Sequence, residues 1–255
     1  MSEAGFDTLL AGRVRHRQRA HGHRSGIEPV LLAAFVPARP GERVLEGGTG
    51  SGAGLLCVAA RVPCITGCAI ELDPELASLA AENFALNDCP GLQVLQGDLT
   101  RIMPQGVFDH AMANPPWHDA AATQSPDPGR ALARKAPADL FTLWAQSLAR
   151  HLRHRGTLSI IVGAGAVSAC LAAFTEAGCG SHVIFPLWPR PGRPAKLVLL
   201  QAVRGGRGPT RMEPGLVLHA EGSAYTSAAE DVLRGAQPLR PRTFPSGGPV
   251  PGETS

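Results

Sequence analysis

The sequence predicts an α/β protein with a doubly wound, mostly parallel seven-stranded sheet and a terminal antiparallel hairpin. The prediction rests first on residues 41–205, where short apolar runs alternate with helical stretches. It rests also on the last two apolar runs of that region, whose connection is too short for a crossover helix. Such a connection is typical of antiparallel neighbours.

The elements are predicted in order along the chain. A strand over 43–46 leads through a glycine-rich turn into a helix over 53–61, and a strand over 65–71 follows. Pro74 suits the first turn of the next helix, which extends to Asn87. The remaining expectations are strands over 92–95 and 108–113, a long loop over 119–138, a helix over 139–154, a strand over 156–162, a helix over 166–177, and hairpin strands over 183–187 and 196–203.

Composition divides the 255 residues into three predicted regions. Residues 1–40 contain a basic stretch and an apolar helix expected to pack on the core, which spans 41–205. Residues 206–255 form a C-terminal extension rich in Pro, Gly and Arg, with disorder expected in its last part. The 44% apolar and 18% charged residues exclude a disordered chain, a coiled coil and a collagen-like fibre. The net charge of +3 is too small by itself to indicate a nucleic-acid partner.

The sequence favours a cytoplasmic protein without a membrane segment. It has no apolar run long enough to span a bilayer, and its N-terminus lacks the pattern of a secretory signal. None of the six cysteines forms a C-x-x-C pair, so we expect free thiols and no metal site.

A glycine-rich motif and three acids predict a nucleoside site. Residues 46–52 lie between a strand and a helix, and glycines there let the backbone approach a ligand closely. Glu71 and Asp98 end the next two strands, at the same edge of a parallel sheet. Glu46 favours S-adenosylmethionine over NAD, because a carboxylate there attracts a methionyl ammonium and repels a pyrophosphate. The glycines of the motif are Gly48, Gly50 and Gly52.

The tetrapeptide that ends the fourth predicted strand indicates the reaction. Prolines remove N–H donors, so the Asn114 side-chain oxygen and the Pro115 carbonyl can both accept hydrogen bonds from one NH2 group. Trp117 offers a face on which a planar group can stack. The motif Asn114, Pro115, Pro116 and Trp117 therefore predicts methyl transfer to a planar amine. His118 either contacts the substrate or fills space beside the turn.

Together these motifs resemble S-adenosylmethionine-dependent class I (Rossmann-like) methyltransferases that act on amino groups. Segments 7–10, 12–15 and 26–32 are further similar to bacterial tRNA(Val) (adenine-N6)-methyltransferases, and the resemblance spans 7–235. It implies a class I methyltransferase fold with 41–205 as the cofactor-binding core. It also implies that the glycines line the cofactor, with Glu46 at its amino-acid end, Glu71 at the ribose, Asp98 at the adenine amino group, and Asn114, Pro115 and Trp117 at the target amine.

A basic run near the N-terminus is the predicted RNA contact. Arg13, Arg15, Arg17 and Arg24 have no acid among them, which suits phosphate groups. Alternate arginines also share one face of a strand, so a solvated edge is an equally good and compatible interpretation. The turns over 190–193 and 204–207 are weaker candidates for the same contact.

The leading hypothesis is methylation of N6 of an adenine in a tRNA loop. Trp117 and His118 after Asn-Pro-Pro also resemble the Asn-Pro-Pro-Phe-His motif of ribosomal RNA guanine-N2 methyltransferases, which makes that activity the first alternative. Protein glutamine N5-methylation and a catalytically inactive RNA-binding protein are further alternatives. A monomer and a dimer both stay open.

Overall fold

The computed structural model describes residues 6–19, 26–115, 137–220 and 222–239. An antiparallel ribbon at the N-terminus precedes the first helix. Its strands are β1 (Asp7–Leu9) and β2 (Val14–His16), and the helix is α1 (Glu28–Phe35). The parallel part of the main sheet follows, with strands β3 (Arg43–Gly47), β4 (Thr66–Glu71), β5 (Leu92–Gln96), β6 (Phe108–Ala113) and β7 (Leu152–Gly163).

The helices between these strands are α2 (Ala53–Arg61), α3 (Pro74–Leu86) and α4 (Pro137–Ala149), and α5 (Val167–Glu176) follows β7. The C-terminal part contains four strands and a short helix: β8 (Cys179–Trp188), β9 (Leu197–Arg204), β10 (Arg211–Met212), β11 (Leu216–Val217) and α6 (Ser227–Leu233). Two apolar clusters cover the two faces of the sheet, one containing α1, α2 and α6 side chains and the other α4 and α5 side chains.

The strands of the main sheet are arranged in the order β10-β8-β9-β7-β6-β3-β4-β5, and β11 also pairs with β8. β9 is antiparallel to both β7 and β8, whereas the other neighbouring pairs are parallel. The chain changes direction across the sheet between β3 and β6, and open α/β sheets bind ligands at such a point. The predicted doubly wound, mostly parallel sheet with its antiparallel hairpin is confirmed.

Two details of the prediction are wrong. The main sheet has nine strands instead of seven, because β10 and β11 from the C-terminal extension pair with β8. The helix predicted to reach residue 154 ends at Ala149, and the following strand begins at Leu152 rather than at 156. Leu152 pairs with Phe108 of β6, and the Arg204 guanidinium donates hydrogen bonds to the carbonyls of Ala149 and Leu152. These contacts between distant parts of the chain override the local helical pattern.

The three predicted regions are in contact wherever the structure describes them. α1 packs against α2 and α6, so the N-terminal helix and part of the C-terminal extension share one apolar cluster with the core. The last residues, in which disorder is expected, lie outside the described part of the chain, as does most of the long loop over 119–138. No helix in the described ranges has the length and apolar character needed to cross a membrane.

Candidate active site

The β3–β6 pair places the predicted catalytic motif beside the glycine-rich turn. Gly47 of β3 is the register partner of Ala113 of β6, so the next residues, Gly48 and Asn114, leave neighbouring strands at the same edge. Asn114 is partly buried and Pro115 is buried. The side chain that is predicted to hold the amine therefore lies at the entrance of the predicted cofactor loop.

The β3–β4 and β4–β5 pairs bring the two acids to that edge. The N–H of Gly48 donates to the Ile70 carbonyl at 2.8 Å, which holds the turn against the end of β4. The N–H of Gly97 donates to the Glu71 carbonyl at 2.7 Å, so Asp98 begins the loop next to Glu71. The glycine turn and both acids thus occupy adjacent strand ends, as the sequence predicts.

The three glycines of the turn all have left-handed backbone angles, with φ of 64° at Gly48, 59° at Gly50 and 87° at Gly52. A Cβ atom on Gly52 would lie 2.7 Å from the Phe84 ring, and one on Gly48 would lie 2.5 Å from the Trp144 ring. A Cβ atom on Gly50 would meet nothing within 4 Å. The turn is therefore closely packed at both ends and open at its middle, where a ligand can lie along the backbone.

Glu71 is fixed in a position that suits a ribose. Its Oε2 accepts a hydrogen bond from the Gly50 N–H at 2.7 Å, and its Oε1 accepts one from the Asp73 N–H at 3.0 Å. Burial raises the pKa of the Glu71 carboxyl, and these two N–H groups oppose that rise. Each carboxylate oxygen retains an acceptor site for a hydroxyl group. The arrangement fits the predicted contact with the cofactor ribose.

Asp98 and Leu72 form the adjacent part of the edge. Asp98 Oδ1 accepts hydrogen bonds from the N–H and the hydroxyl of Thr100, both at 2.8 Å, and its side chain is 43% exposed. Leu72 is a large apolar side chain with 48% exposure. An adenine ring covering Leu72 would remove this apolar surface from water. Leu72 was not among the predicted residues, although it directly follows Glu71.

Glu46 has a different environment from the one expected. It is only 4% exposed, and its Oε2 accepts hydrogen bonds from the Thr49 hydroxyl at 2.5 Å and the Leu55 N–H at 3.0 Å. Burial raises the pKa of this carboxyl to about 7. Glu46 therefore joins the glycine turn to the first turn of α2, and its contact with the amino-acid end of the cofactor stays a prediction.

The buried Glu46 carboxyl makes the free energy of unfolding of the chain depend on pH. Its pKa of about 7 in the folded state lies above the ordinary value of 4.5, so the folded chain retains a proton that the unfolded chain has lost between these values. Its contribution to the free energy of unfolding therefore falls as pH rises through this window. Urea unfolding measures the free energy of unfolding of Glu46→Gln relative to that of wild type. This difference should rise by about 2–3 kcal/mol in favour of the variant from pH 5 to pH 8. Parallel pH profiles of the two proteins would refute this assignment.

Four predicted site residues, Pro116, Trp117, His118 and Arg24, lie outside the described residues. Their roles stay predictions. A second tryptophan, Trp144 of α4, was not predicted, yet its ring packs over Gly48. No pattern in the sequence of α4 indicates this contact, because it depends on how α4 lies across the end of β3. Within the described ranges, no three His, Cys, Asp or Glu side chains are grouped as metal ligands.

Three of the four predicted RNA-binding arginines are described, and they lie on the exposed face of the ribbon but contact the protein itself. Val14 and His16 of β2 are buried, whereas Arg13, Arg15 and Arg17 are exposed, in the predicted alternation. The contacts are Arg13 to the Gly235 carbonyl at 3.2 Å, Arg15 to Asp88 at 3.9 Å, Arg17 to Glu82 at 4.0 Å and Arg19 to Asp73 at 2.7 Å. Glu82 of α3 and the two acids that flank this helix thus lie against the ribbon, and its contact with RNA stays a prediction.

The same ribbon supports the glycine turn through buried polar contacts. Asn83 of α3 accepts a hydrogen bond from the Arg17 N–H at 2.9 Å and donates to the carbonyls of Arg17 and Ser51, each at 2.9 Å. His16 Nε2 lies 2.9 Å from the Ser51 hydroxyl, and burial lowers the pKa of this imidazole. The N-terminal ribbon and α3 therefore hold the outer side of the predicted cofactor loop.

The family model of the methyltransferase small domain matches residues 28–171, which include the glycine turn, both acids and Asn114. The chain belongs to the methyltransferase small domain family. Membership confirms the predicted enzyme class and its cofactor, S-adenosylmethionine. The glycine turn and Glu71 fit this cofactor, because an open backbone lies next to a fixed carboxylate.

Two similar proteins belong by name to a narrower group, the tRNA methyltransferases. A tRNA1(Val) (adenine(37)-N6)-methyltransferase of Aeromonas salmonicida is 31% identical over 206 residues, which cover 79% of this chain and 84% of that protein. The protein of the same name from Shewanella amazonensis is 30% identical over 184 residues, covering 70% and 77%. The resemblance inferred from the motifs is thereby confirmed.

Among solved structures, a predicted O-methyltransferase from Agrobacterium tumefaciens superposes with a TM-score of 0.70. It is 25% identical and covers 83% of this chain and 98% of its own. A methyltransferase from Pyrococcus furiosus, with 17% identity and a TM-score of 0.57, shares the fold.

Proposed function

We propose that this enzyme transfers a methyl group from S-adenosylmethionine to N6 of an adenine in a tRNA loop. The observation that carries the proposal is the position of Asn114, whose strand end adjoins Gly48 at the entrance of the cofactor loop. The names of the relatives from Aeromonas salmonicida and Shewanella amazonensis support adenine and tRNA as the target. A cytoplasmic location is part of the proposal, because tRNA is the substrate.

The chain contributes mainly by positioning the amine. S-adenosylmethionine, when bound, supplies a methyl group on a sulfonium centre. The Asn114 side-chain oxygen and the Pro115 carbonyl accept the two N–H groups of the amine, so its nitrogen faces the cofactor loop. Held by the glycine turn, Glu71 and Asp98, the cofactor would supply its methyl group to this nitrogen and keep the S–CH3 electron pair as a thioether, and one amine proton would leave to water. No residue of the chain is needed as a general base in this scheme.

The direct test is incubation of the protein with methyl-labelled S-adenosylmethionine and separated tRNA, rRNA and protein fractions from a strain lacking its gene. Nucleoside digestion should identify the product as N6-methyladenosine in tRNA. N2-methylguanosine in rRNA would replace the proposal with the first alternative, and label in protein would favour glutamine methylation. Bound cofactor without label in any fraction would favour a catalytically inactive RNA-binding protein.

Asp98 provides a test of the cofactor site that is independent of the RNA. Asp98→Ala should weaken S-adenosylmethionine binding about 10- to 100-fold, since it removes a charged acceptor worth about 1.5–3 kcal/mol. Asp88→Ala is the matched control, because Asp88 has 94% side-chain exposure and follows the far end of α3. Calorimetric titration measures both affinities. If the two variants bind the cofactor equally well, Asp98 does not contact it.

A further inference from the structure

The loop between β8 and β9 forms part of a basic cavity that has no role in the proposed function as described above. The cavity has a volume of about 680 Å³ and is lined by Arg190, Pro191, Arg193, Ala220 and Gly222. Both arginines are exposed. The cavity is therefore open to solvent and accessible to a large anionic partner.

Strand register places this cavity at the active-site edge of the sheet. Gly163, near the carboxyl end of β7, pairs with Leu197 at the start of β9, and Leu197 also pairs with Leu187 near the end of β8. The loop over 189–196 therefore leaves the sheet at the edge where Asn114 follows β6. Three strand spacings separate β6 from β8 in the strand order, which is about 14 Å. This distance lies within the span of a few nucleotides of a bound strand.

The walls of the cavity are fixed by contacts between its two loops. Arg190 Nη2 donates a hydrogen bond to the Gly222 carbonyl at 2.6 Å, and the His219 N–H donates to the Pro189 carbonyl at 3.1 Å. The His219 ring stacks on Tyr225 with 4.7 Å between ring centroids, which closes the second loop on itself. Prolines at 189, 191 and 194 further restrict the first loop. Binding there requires little ordering of the backbone.

The charge of the cavity also differs from that of the ribbon. Residues 177–212, which include the first loop, contain six Lys and Arg and no Asp or Glu, and the second loop contains one acid, Glu221, which lies outside the described residues. Among the described residues, no ion pair within 4.0 Å involves Arg190 or Arg193, whereas Arg15, Arg17 and Arg19 each pair with an acid of α3 or its flanking turns. Arg190 retains guanidinium N–H groups beyond its contact with Gly222. The cavity therefore presents guanidinium donors that no carboxylate of the described residues neutralises within 4.0 Å.

We propose that Arg190 and Arg193 bind a backbone phosphate of the RNA a few nucleotides from the target base. The inference rests on the proposed function. A guanidinium offers paired N–H donors that match phosphate oxygens, and a rigid loop can hold two of them around one group. The phosphate contact fixes the position of the strand on the sheet edge, and the Asn114 motif selects the amine.

The test compares two double variants that lose the same charge from opposite edges of the sheet. Arg190→Ala/Arg193→Ala removes the cavity arginines, and Arg39→Ala/Arg155→Ala removes two exposed cations from the edge where β3 and β6 begin. The probe is unmodified tRNA from a strain lacking the gene, titrated at several salt concentrations. The first variant should bind it about ten-fold or more weakly and lower the slope of log K against log salt by about 1. S-adenosylmethionine affinity should be unchanged in both.

Equal losses of tRNA affinity in the two variants, or wild-type affinity in the first, would overturn the phosphate site. Failure of the proposed function has a different signature. It would appear as absence of N6-methyladenosine with the wild-type protein, whatever the variants bind. Binding of wild type to tRNA that depends on Arg190 and Arg193, without adenine methylation, would keep the phosphate site and reject the proposed reaction.

Discussion

Asn114→Ala should lower the rate of methyl transfer by two or more orders of magnitude while leaving S-adenosylmethionine affinity nearly intact. The change removes an acceptor that holds the amine in line with the cofactor, a loss of about 3 kcal/mol in transition-state stabilisation. Within the described residues, Asn114 adjoins Gly48 through the strand register and has no hydrogen bond to the glycine turn, so the cofactor site keeps its structure. Single-turnover kinetics and calorimetric titration together measure the two quantities.

Asn87→Ala is the matched control for this variant. Asn87 donates hydrogen bonds to the Arg15 carbonyl at 2.6 Å and the Asn83 carbonyl at 2.7 Å, at the end of α3 away from the site. Its loss should reduce stability and leave the single-turnover rate near that of wild type. A wild-type rate in Asn114→Ala, or an equal reduction in both variants, would contradict the role given to Asn114.

Gly52→Ala should lower the free energy of unfolding by about 2–5 kcal/mol and weaken cofactor binding. The left-handed backbone at Gly52 costs an L-residue about 1–2 kcal/mol, and overpacking against a buried ring costs about 1–3 kcal/mol more. The clash is with Phe84, whose ring lies 2.7 Å from the added Cβ position and is 3% exposed. Urea unfolding at constant pH measures the loss.

Gly41→Ala separates the two causes. Gly41 has φ of 82°, close to the 87° of Gly52, but a Cβ atom there would meet nothing within 4 Å. Gly41→Ala should therefore lower the free energy of unfolding only by the cost of the left-handed backbone, about 1–2 kcal/mol. The double variant Gly52→Ala/Phe84→Leu should recover part of the extra loss. If Gly41→Ala and Gly52→Ala are equally destabilised, contact with Phe84 is not the cause.

The local sequence was sufficient to predict most of the fold. The helix over Ala53–Arg61 and the strand over Phe108–Ala113 have the expected bounds, because their apolar periods and flanking turns are local signals. The end of α4 at Ala149 was not predictable in the same way. It depends on Arg204 and Phe108, which are distant in sequence and meet α4 and β7 only after the sheet has formed.

The candidate active site shows the same difference between local sequence signals and contacts of distant residues. Glu71 and Asp98 were predicted because strand ends in a parallel sheet share one edge, which is a property of the fold class. The contact of Trp144 with Gly48 depends on how α4 crosses β3, and the pairing of the ribbon arginines depends on acids in and after α3, far along the chain. Such contacts require the tertiary arrangement, which no single motif contains.

The hydrogen bonds at Ser51 connect two segments far apart in the chain to the cofactor loop. The Ser51 hydroxyl lies against His16, and its carbonyl accepts from Asn83. Docking of the ribbon therefore stabilises the ordered loop, and ordering of the loop stabilises the docked ribbon. By thermodynamic reciprocity, a cofactor that orders the loop also stabilises the docked ribbon, and any partner that holds the ribbon raises cofactor affinity by the same factor. An amide, an imidazole and a serine thus connect the N-terminal ribbon to the predicted S-adenosylmethionine loop.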